Sequence, residues 1–175
     1  MSEQMDLKAV IRTVPDFPEP GISFKDITPL LSDPEVFAGI GDAFAERYRG
    51  RVDAVVAIES RGFIVGAPLA RDLGLPLAVA RKKGKLPFDT YEVGYELEYG
   101  SAVLEIHTDA LAPGARTVVI DDLLATGGTA SAVIELVGKL DAEVVECAFI
   151  VDLAFLGGSG RLAPVPCYSL VSYEE

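Results

Sequence analysis

The sequence predicts an α/β fold: an open, mainly parallel sheet flanked by helices, with an antiparallel hairpin attached. Apolar runs of strand length alternate along the chain with segments whose apolar residues recur at helical spacing. Two of these runs lead through glycine-containing loops directly into helical segments. Another stretch alternates on both sides of a Tyr-Gly-Ser turn, which indicates a hairpin. Residues 1–175 are expected to form one domain.

The N-terminal part of the chain predicts two helices. "QMDLKAVIRTV" (4–14) fits a short helix, and "DPEVFAGIGDAFAERYR" (33–49) predicts a stronger one. Ser32 or Asp33 can cap the second helix, and Pro34 suits its first turn. Its apolar residues share one face, which we expect to lie in the core: Val36, Phe37, Ile40 and Phe44.

The middle of the chain predicts two strands, a helix and the hairpin. "DAVVAIE" (53–59) fits a buried strand, followed by the loop "SRG" and a helix through Asp72 that "GLP" ends. "LAVAR" (77–81) fits a second strand. "YEVGYELEYGSAVLEIH" (91–107) predicts the hairpin, a flap that can cover a site.

The C-terminal part continues the alternation. "RTVVIDD" (116–122) fits a strand, and a turn at 125–128 leads into the helix "TASAVIELVGKL" (129–140). "EVVECAFIVDL" (143–153) fits a further strand. The inward face of the helix is expected to hold Val133, Ile134, Val137 and Leu140. In an open sheet of this kind, ligands bind beyond the carboxyl ends of the strands.

Composition excludes several classes of function. The 27 acidic and 15 basic residues give a net charge of −12, which disfavours a nucleic acid partner. Apolar runs stay short of the ~18 residues of a membrane span, and the N-terminus lacks a secretory pattern, so we expect a cytoplasmic protein without a membrane partner. Cys147 and Cys167 lack CxxC spacing and are expected to be reduced and packed. His107 is expected to be a strand residue.

The segment "VVIDDLLATGGTA" (118–130) predicts an anion cradle. Gly127 and Gly128 allow the backbone close to a ligand, at which the first N–H groups of the following helix point. Thr126 and Thr129 add hydroxyl donors. The segment has neither the lysine of a P-loop nor GxGxxG, so a phosphate monoester fits it better than a nucleoside triphosphate or a dinucleotide. The alternative interpretation is a plain turn beside two solvated acids.

Asp121 and Asp122 add a different chemistry to this cradle. Two carboxylates at the end of a strand can accept hydrogen bonds from a sugar diol, or hold Mg²⁺ through water. A phosphate site with a diol site beside it describes ribose 5-phosphate.

Two further segments place positive charge at strand ends. "AIESRGF" (57–63) carries Arg61 after a buried strand, and "ARKKGKLP" (80–87) carries a run of basic residues after another. Such a run is usually a solvated loop, but its position favours a second anion site. A ligand with phosphate at one end and pyrophosphate at the other is phosphoribosyl pyrophosphate (PRPP).

These segments resemble the phosphoribosyltransferase family. "VVIDDLLATGGT" resembles the PRPP signature of that family, and "FPEPGISFKDITPLL", "ESRGF", "RKKGKLP" and "YELEYG" extend the similarity to its adenine-specific branch along almost the whole chain. The resemblance implies the type I phosphoribosyltransferase fold and the reaction of adenine with PRPP to AMP and pyrophosphate. It also implies Mg²⁺ as the cofactor, a cytoplasmic homodimer and a role in purine salvage.

The resemblance also implies roles for individual residues. The 5′-phosphate would be bound by Ala125, Thr126, Gly127, Gly128 and Thr129. Pyrophosphate would be bound by Ser60, Arg61, Arg81, Lys82 and Lys85, with Arg81 reaching the neighbouring subunit's site. The base would lie in an N-terminal segment, 1–33, against Ser23, Phe24 and Lys25, and be bounded by Leu153. Asp121 and Asp122 would contact the ribose hydroxyls, with Mg²⁺ near them but held mainly by substrate and water.

The flap, 91–107, would supply the proton chemistry. Glu98 would be the general acid/base, and Tyr99 would help the flap to close and exclude water. Three alternatives stay open at this point: a regulator that senses nucleotides without catalysis, an RNA-binding relative, and an enzyme for hypoxanthine, guanine or xanthine. A 6-oxopurine requires a donor at O6, whereas the amine of adenine requires an acceptor, often a backbone carbonyl.

Overall fold

The first unit of the fold is small and precedes the main sheet. The structure, a computed structural model, describes residues 6–96 and 100–175. The chain divides into two compact units, one up to Phe44 and the other Ala45–Glu175. The elements that begin in the first unit are α1 (Leu7–Val10), β1 (Arg12–Pro15), β2 (Ser23–Asp26), α2 (Thr28–Ser32) and α3 (Pro34–Tyr48). Whether the whole chain acts as one domain stays a prediction.

The prediction of a helix over 4–14 is wrong beyond its first turn. Within residues 6–14, the part of this range that the structure describes, only α1 is helical, and the backbone is already extended at Ile11. Residues 12–15 instead form β1, which pairs antiparallel with β2. The β-branched Thr13 and Val14 and the following Pro15 favour a strand, and proline cannot continue a helix. The structure thus forms a β-ribbon where periodicity indicated a longer helix.

The stronger predicted helix is confirmed as α3. Asp33 caps it, since its Oδ1 accepts hydrogen bonds from the N–H groups of Glu35 at 3.0 Å and Val36 at 3.2 Å. The predicted inward face is buried at three positions and half-buried at Phe37. The three buried residues are Val36, Ile40 and Phe44.

A seven-stranded sheet forms the second unit. Its strands are β3 (Ala54–Ile58), β4 (Leu77–Lys82), β5 (Thr90–Glu96), β6 (Ser101–His107), β7 (Arg116–Leu124), β8 (Glu143–Leu153) and β9 (Cys167–Tyr173). Their order is β5-β6-β4-β3-β7-β8-β9. Five neighbouring strands are parallel to one another: β4, β3, β7, β8 and β9. The hairpin of β5 and β6 joins this group through β6, which pairs antiparallel with β4. The predicted fold class and hairpin are therefore confirmed.

Helices cover both faces of this sheet. They are α4 (Gly62–Leu73), α5 (Gly128–Lys139) and the short α6 (Gly158–Leu162), with a 3₁₀ turn at Ala154–Leu156. Val56 and Val119 share a core cluster with α5, whereas Gly66 of α4 lies against Ala57 and Ile120. Adjacent strand residues point to opposite faces, so α4 and α5 lie on opposite sides. The loop from β3 to α4 and the loop from β7 to α5 therefore both start at the carboxyl ends of neighbouring strands.

Besides β1, the short elements β2 and α2 were not predicted, and further differences lie at element ends and near the C-terminus. β7 extends to Leu124, two residues beyond prediction, so Asp121 and Asp122 lie within the strand. α6 and β9 were not predicted, because "GGSGRLAPVP" lacks a periodic apolar pattern and the edge strand β9 is only half-buried for most of its length.

The remaining predictions concern single residues and the membrane. His107 lies in β6, and the thiols of Cys147 and Cys167 are free; burial raises the pKa of both. Among the described helices, none has the length and apolar composition of a membrane span. Residues 97–99, which include Tyr99 of the predicted turn, lie outside the described residues.

Candidate active site

Two adjoining cavities open at the carboxyl ends of β3 and β7. One is lined by the loop that follows β7, together with Phe149 of β8. The other is lined by Glu59, Ser60, Arg61, Lys82, Asp121 and Asp122. Asp121 lines both cavities, so it lies where they meet. The structure therefore brings three of the predicted motifs together at one edge of the sheet.

Residues 125–129, the predicted phosphate site and hereafter called the phosphate loop, link β7 to α5 and owe their shape to two glycines. Gly127 has φ +81°, a conformation that other residues rarely adopt. A Cβ at Gly127 would also lie only 2.7 Å from the carbonyl oxygen of Gly158. Gly128 starts α5, whose first N–H groups have no partner within the helix. Backbone donors at the start of a helix suit a phosphate group.

The acidic pair differs in the surroundings of its two carboxyl groups. Asp121 Oδ1 accepts the N–H of Asp122 at 2.8 Å, yet desolvation and the neighbouring charge of Asp122 raise the pKa of Asp121 well above its usual value. Asp122 is buried, with 4% of its surface exposed, and its Oδ2 accepts Arg61 Nε at 2.5 Å. A ligand that brings hydroxyl donors or positive charge would stabilise the ionised form of Asp121.

Gly62 brings the two motifs "ESRG" and "DD" into contact. A Cβ at this position would lie 2.8 Å from Ile120 O and 3.0 Å from Asp121 Oδ1. Only glycine therefore allows the start of α4 to lie against β7 beside Asp121. Arg61 immediately precedes this glycine, which explains how its side chain reaches Asp122.

The basic loop, residues 81–85, begins with the last two residues of β4 and is held by Glu59. Glu59 Oε2 accepts the N–H of Lys82 at 2.7 Å, and its Oε1 accepts Arg81 Nη2 at 3.3 Å. Desolvation opposes ionisation of Glu59, but the N–H of Lys82 and the charge of Arg81 outweigh it and lower its pKa. Arg81 Nη1 also donates to Lys85 O at 3.2 Å. Lys82 lines the second cavity, beside Ser60 and Arg61.

The predicted base-binding residues are divided between the two units of the chain. In the first unit, Phe24 contacts Phe17 edge to face at 5.2 Å between ring centroids, and Lys25 Nζ donates to Thr13 Oγ1 at 3.1 Å. Ser23 begins β2. In the second unit, Leu153 ends β8 and is half-buried. Glu98 and Tyr99 lie outside the described residues.

Comparison with known proteins decides the family. Residues 26–168 match the family model of the phosphoribosyl transferase domain. An adenine phosphoribosyltransferase from Roseiflexus sp. strain RS-1 is 55% identical over 169 residues, which are 96% of this chain and 98% of that protein. The chain belongs to the adenine phosphoribosyltransferase family.

Solved adenine phosphoribosyltransferases share the fold over nearly the whole chain. The structure from Thermoanaerobacter pseudethanolicus matches with a TM-score of 0.93 at 45% identity, covering 98% of this chain and 100% of that one. The structure from Trypanosoma brucei, in complex with AMP, pyrophosphate and ribose-5-phosphate, matches with a TM-score of 0.87 at 30% identity, covering 95% and 77%. The predicted type I phosphoribosyltransferase fold is confirmed.

Four residues near this phosphoribosyltransferase site were not predicted from the sequence. They are Glu59, Glu105, Gly158 and Arg161. A Cβ at Gly158 would collide with Ala125 O, and Arg161 Nη1 lies 3.4 Å from where a Cβ of Gly128 would be. The glycine-rich run "GGSGR" was the available signal for the last two, since close approach of two backbones requires glycine. Neither carboxylate carries a local signal, because their partners lie 19 to 23 residues away.

Proposed function

We propose that this protein is an adenine phosphoribosyltransferase, which converts adenine and PRPP to AMP and pyrophosphate in purine salvage. The observation that carries the proposal is the position of Asp121, shared by the cavity of the phosphate loop and the cavity of Arg61 and Lys82. A ribose at Asp121 would have its 5′-phosphate in the first cavity and its pyrophosphate in the second. The family and its ligand-bound structures support the same ligand.

The reaction separates charge, and the site residues match that separation. The bond from C1′ of the ribose to a pyrophosphate oxygen breaks, and its electron pair leaves with pyrophosphate. A bond forms from N9 of adenine to C1′, and the N9 proton passes to a base. Asp121, Asp122, Arg61 and Lys82 line one cavity. In the proposed mechanism, Asp121 and Asp122 stabilise the cationic ribose, while Arg61 and Lys82 neutralise the leaving group. Ser60, Arg81 and Lys85 complete the pyrophosphate-binding set.

Magnesium fits the acidic pair only as a partly hydrated ion. Among residues 6–96 and 100–175, no cluster of three or more side chains could hold a metal. Mg²⁺ commonly uses one or two carboxylates together with substrate phosphates and water, which is what Asp121 and Asp122 offer. The family generally uses PRPP with Mg²⁺. When bound, the ion would neutralise negative charge on the pyrophosphate.

Adenine would lie against the N-terminal segment, with Phe24 stacking on the ring and backbone groups around Ser23 and Lys25 contacting its edge. The resemblance also assigns Leu153 to base binding. The working enzyme would be a cytoplasmic homodimer, and Arg81 would reach toward the site of the neighbouring subunit. Glu98 and Tyr99 would close over the base as the flap moves.

Turnover with a panel of free bases tests the proposed function. With PRPP and Mg²⁺, we expect AMP from adenine and far slower reaction with hypoxanthine, guanine or xanthine. Faster turnover of a 6-oxopurine would favour the rival enzyme. Binding of AMP without turnover of any base would favour a nucleotide-sensing regulator.

The role of Glu98 makes a separate prediction. Glu98→Gln should lower kcat at least about tenfold, because general acid/base catalysis contributes ~10²- to 10⁴-fold. The KM for PRPP should change little, since proton transfer belongs to the transition state. Steady-state kinetics across the pH range provide the measurement. An unchanged rate in a folded variant would leave the flap a lid without proton chemistry.

A further inference from the structure

Glu105 is a buried carboxylate outside the cavities. It lies in β6 of the hairpin and exposes only 3% of its surface. Its Oε1 accepts the backbone N–H groups of Lys85 and Leu86, both at 2.8 Å. Burial opposes ionisation, but the N–H groups of Leu86, Gly84 and Lys85 outweigh it and lower the pKa of Glu105. Burying a charged carboxylate is costly unless hydrogen bonds replace the water that it loses. The bonds from Lys85 and Leu86 do this, and they hold the carboxylate and the loop backbone together.

The segment that Glu105 holds is the far end of the basic loop. Glu59 holds the near end through the N–H of Lys82. Arg81 spans the loop, from Glu59 at 3.3 Å to the carbonyl of Lys85 at 3.2 Å. The carboxylates of Glu59 and Glu105, together with the guanidinium of Arg81, therefore fix the backbone path of residues 81–85.

Lys83 attaches the basic loop to both strands of the hairpin, to β6 through its backbone and to β5 through its side chain. The N–H of Lys83 donates to Val103 O at 3.0 Å, and Lys83 Nζ pairs with Glu92 at 2.8 Å. Glu92 lies directly opposite Glu105 in the β5–β6 ladder, but its side chain is 40% exposed. Exposed ion pairs contribute little to stability, so Glu92 is a matched carboxylate without the buried role.

We propose that Glu105 is a positioning residue for pyrophosphate binding: it fixes the backbone at Lys85 and Leu86 and thereby holds the basic loop so that Lys82 lines the second cavity. The inference rests on the proposed function, because it takes Lys82 and Lys85 as pyrophosphate ligands. Glu105 itself lines neither cavity. Because it lies in β6, Glu105 also joins the hairpin to the basic loop.

Ligand binding to Glu105→Gln and Glu105→Ala tests this role. Gln keeps an acceptor oxygen but loses the charge, whereas Ala frees both N–H groups. We expect Glu105→Ala to raise the Kd for Mg²⁺-pyrophosphate and the KM for PRPP by about tenfold or more, with a smaller rise for Gln. AMP binding should stay within about twofold, since the phosphate loop keeps its own support. Glu92→Gln, the control, should change neither ligand.

The variant Lys82→Ala tests the proposed pyrophosphate site separately from the positioning role of Glu105. If Lys82→Ala weakens pyrophosphate binding but Glu105→Gln and Glu105→Ala do not, Glu105 has no positioning role. Equal loss of AMP and pyrophosphate binding in folded Glu105 variants would also overturn the inference, because it indicates general damage. If Lys82→Ala leaves pyrophosphate binding unchanged, the proposed ligand set fails and the inference fails with it. Circular dichroism establishes folding, and Glu105→Gln decides alone if the Ala variant does not fold.

Discussion

At the scale of single residues, Asp121 shows a conflict between stability and function. Desolvation and the charge of Asp122 raise its pKa, so the folded protein holds the proton more tightly than the unfolded chain does. Ionisation of Asp121 near neutral pH therefore opposes folding. The N–H of Asp122 and the charge of Arg61 offset this effect only in part, so a bound ligand that brings hydroxyl donors or positive charge would further stabilise the anion.

Asp121→Asn should therefore stabilise the free protein. Asn retains the oxygen that accepts the N–H of Asp122, but it removes the charge. The variant's Tm should exceed that of the parent by a few degrees near pH 7, since ~1 kcal/mol corresponds to about 2–4 °C at this size. The difference should shrink as the pH falls toward the ordinary aspartate pKa of 3.8, below which Asp121 is mostly protonated in both states, while turnover falls at every pH. Thermal melts from pH 4 to 7 measure it; a difference that does not vary with pH would contradict the argument.

At the scale of elements, α6 is a support for the phosphate loop. Its first residue, Gly158, lies so close to Ala125 O and to the side chain of Leu124 that a Cβ cannot fit. Gly160, in the same short helix, has open space around its Cα. The two glycines therefore form a matched pair for mutation.

Gly158→Ala should displace the phosphate loop. We expect AMP binding to weaken by about tenfold and stability to fall by about 1–3 kcal/mol, as overpacking usually costs. Binding of pyrophosphate alone should be preserved, because the basic loop is held separately. Gly160→Ala should bind AMP normally and be no less stable, since Ala favours helix. Isothermal titration of both variants checks this, and normal AMP binding by Gly158→Ala would show that α6 does not support the loop.

The same elements show what could be predicted from the sequence. β3, α4, β7 and α5 carry strong apolar periodicity, and their loops hold the local motifs, so both the sheet and the cavity residues Arg61, Asp121 and Asp122 were predictable. β1 and α6 were not, because short elements depend on contacts with distant residues. The role of Glu105 could not be predicted for the same reason. The alternating pattern of its strand is evident in the sequence, but the basic loop that it binds is distant along the chain.

At the scale of the whole molecule, a buried ion-pair network within the second unit links Arg47 and Tyr48 to the sheet, far from the site. Glu146 of β8 accepts Arg47 Nε at 2.6 Å and Nη2 at 2.8 Å, and the hydroxyl of Tyr48 at 2.6 Å. The guanidinium of Arg47 also lies 3.8 Å from the ring centroid of Tyr168 in β9. The network sits toward the amino end of β8, whereas the cavities lie at the carboxyl ends of the strands.

Glu146→Gln should lower the stability without changing the chemistry. Desolvation opposes ionisation of Glu146, but Arg47 and Tyr48 outweigh it and lower its pKa. Its contribution is therefore present above the ordinary glutamate pKa and is lost as the pH falls through the lowered one. We expect a loss of about 2–4 kcal/mol at pH 7 and a smaller loss at low pH, with kcat unchanged. Urea unfolding measures it, with the exposed Glu143→Gln as control; equal losses in both would contradict the network's role.

The central position of β3 has a consequence for how the chain folds. Val55 pairs with Val118, although α4, β4 and the entire hairpin lie between them in sequence. Such pairing forms only after a long loop has closed, so this sheet should assemble more slowly than a helical bundle of similar stability. Until β7 docks, the fully apolar β3 presents an open edge to other chains. The yield of refolding should therefore fall as protein concentration rises, with aggregation competing against a step that concentration cannot accelerate.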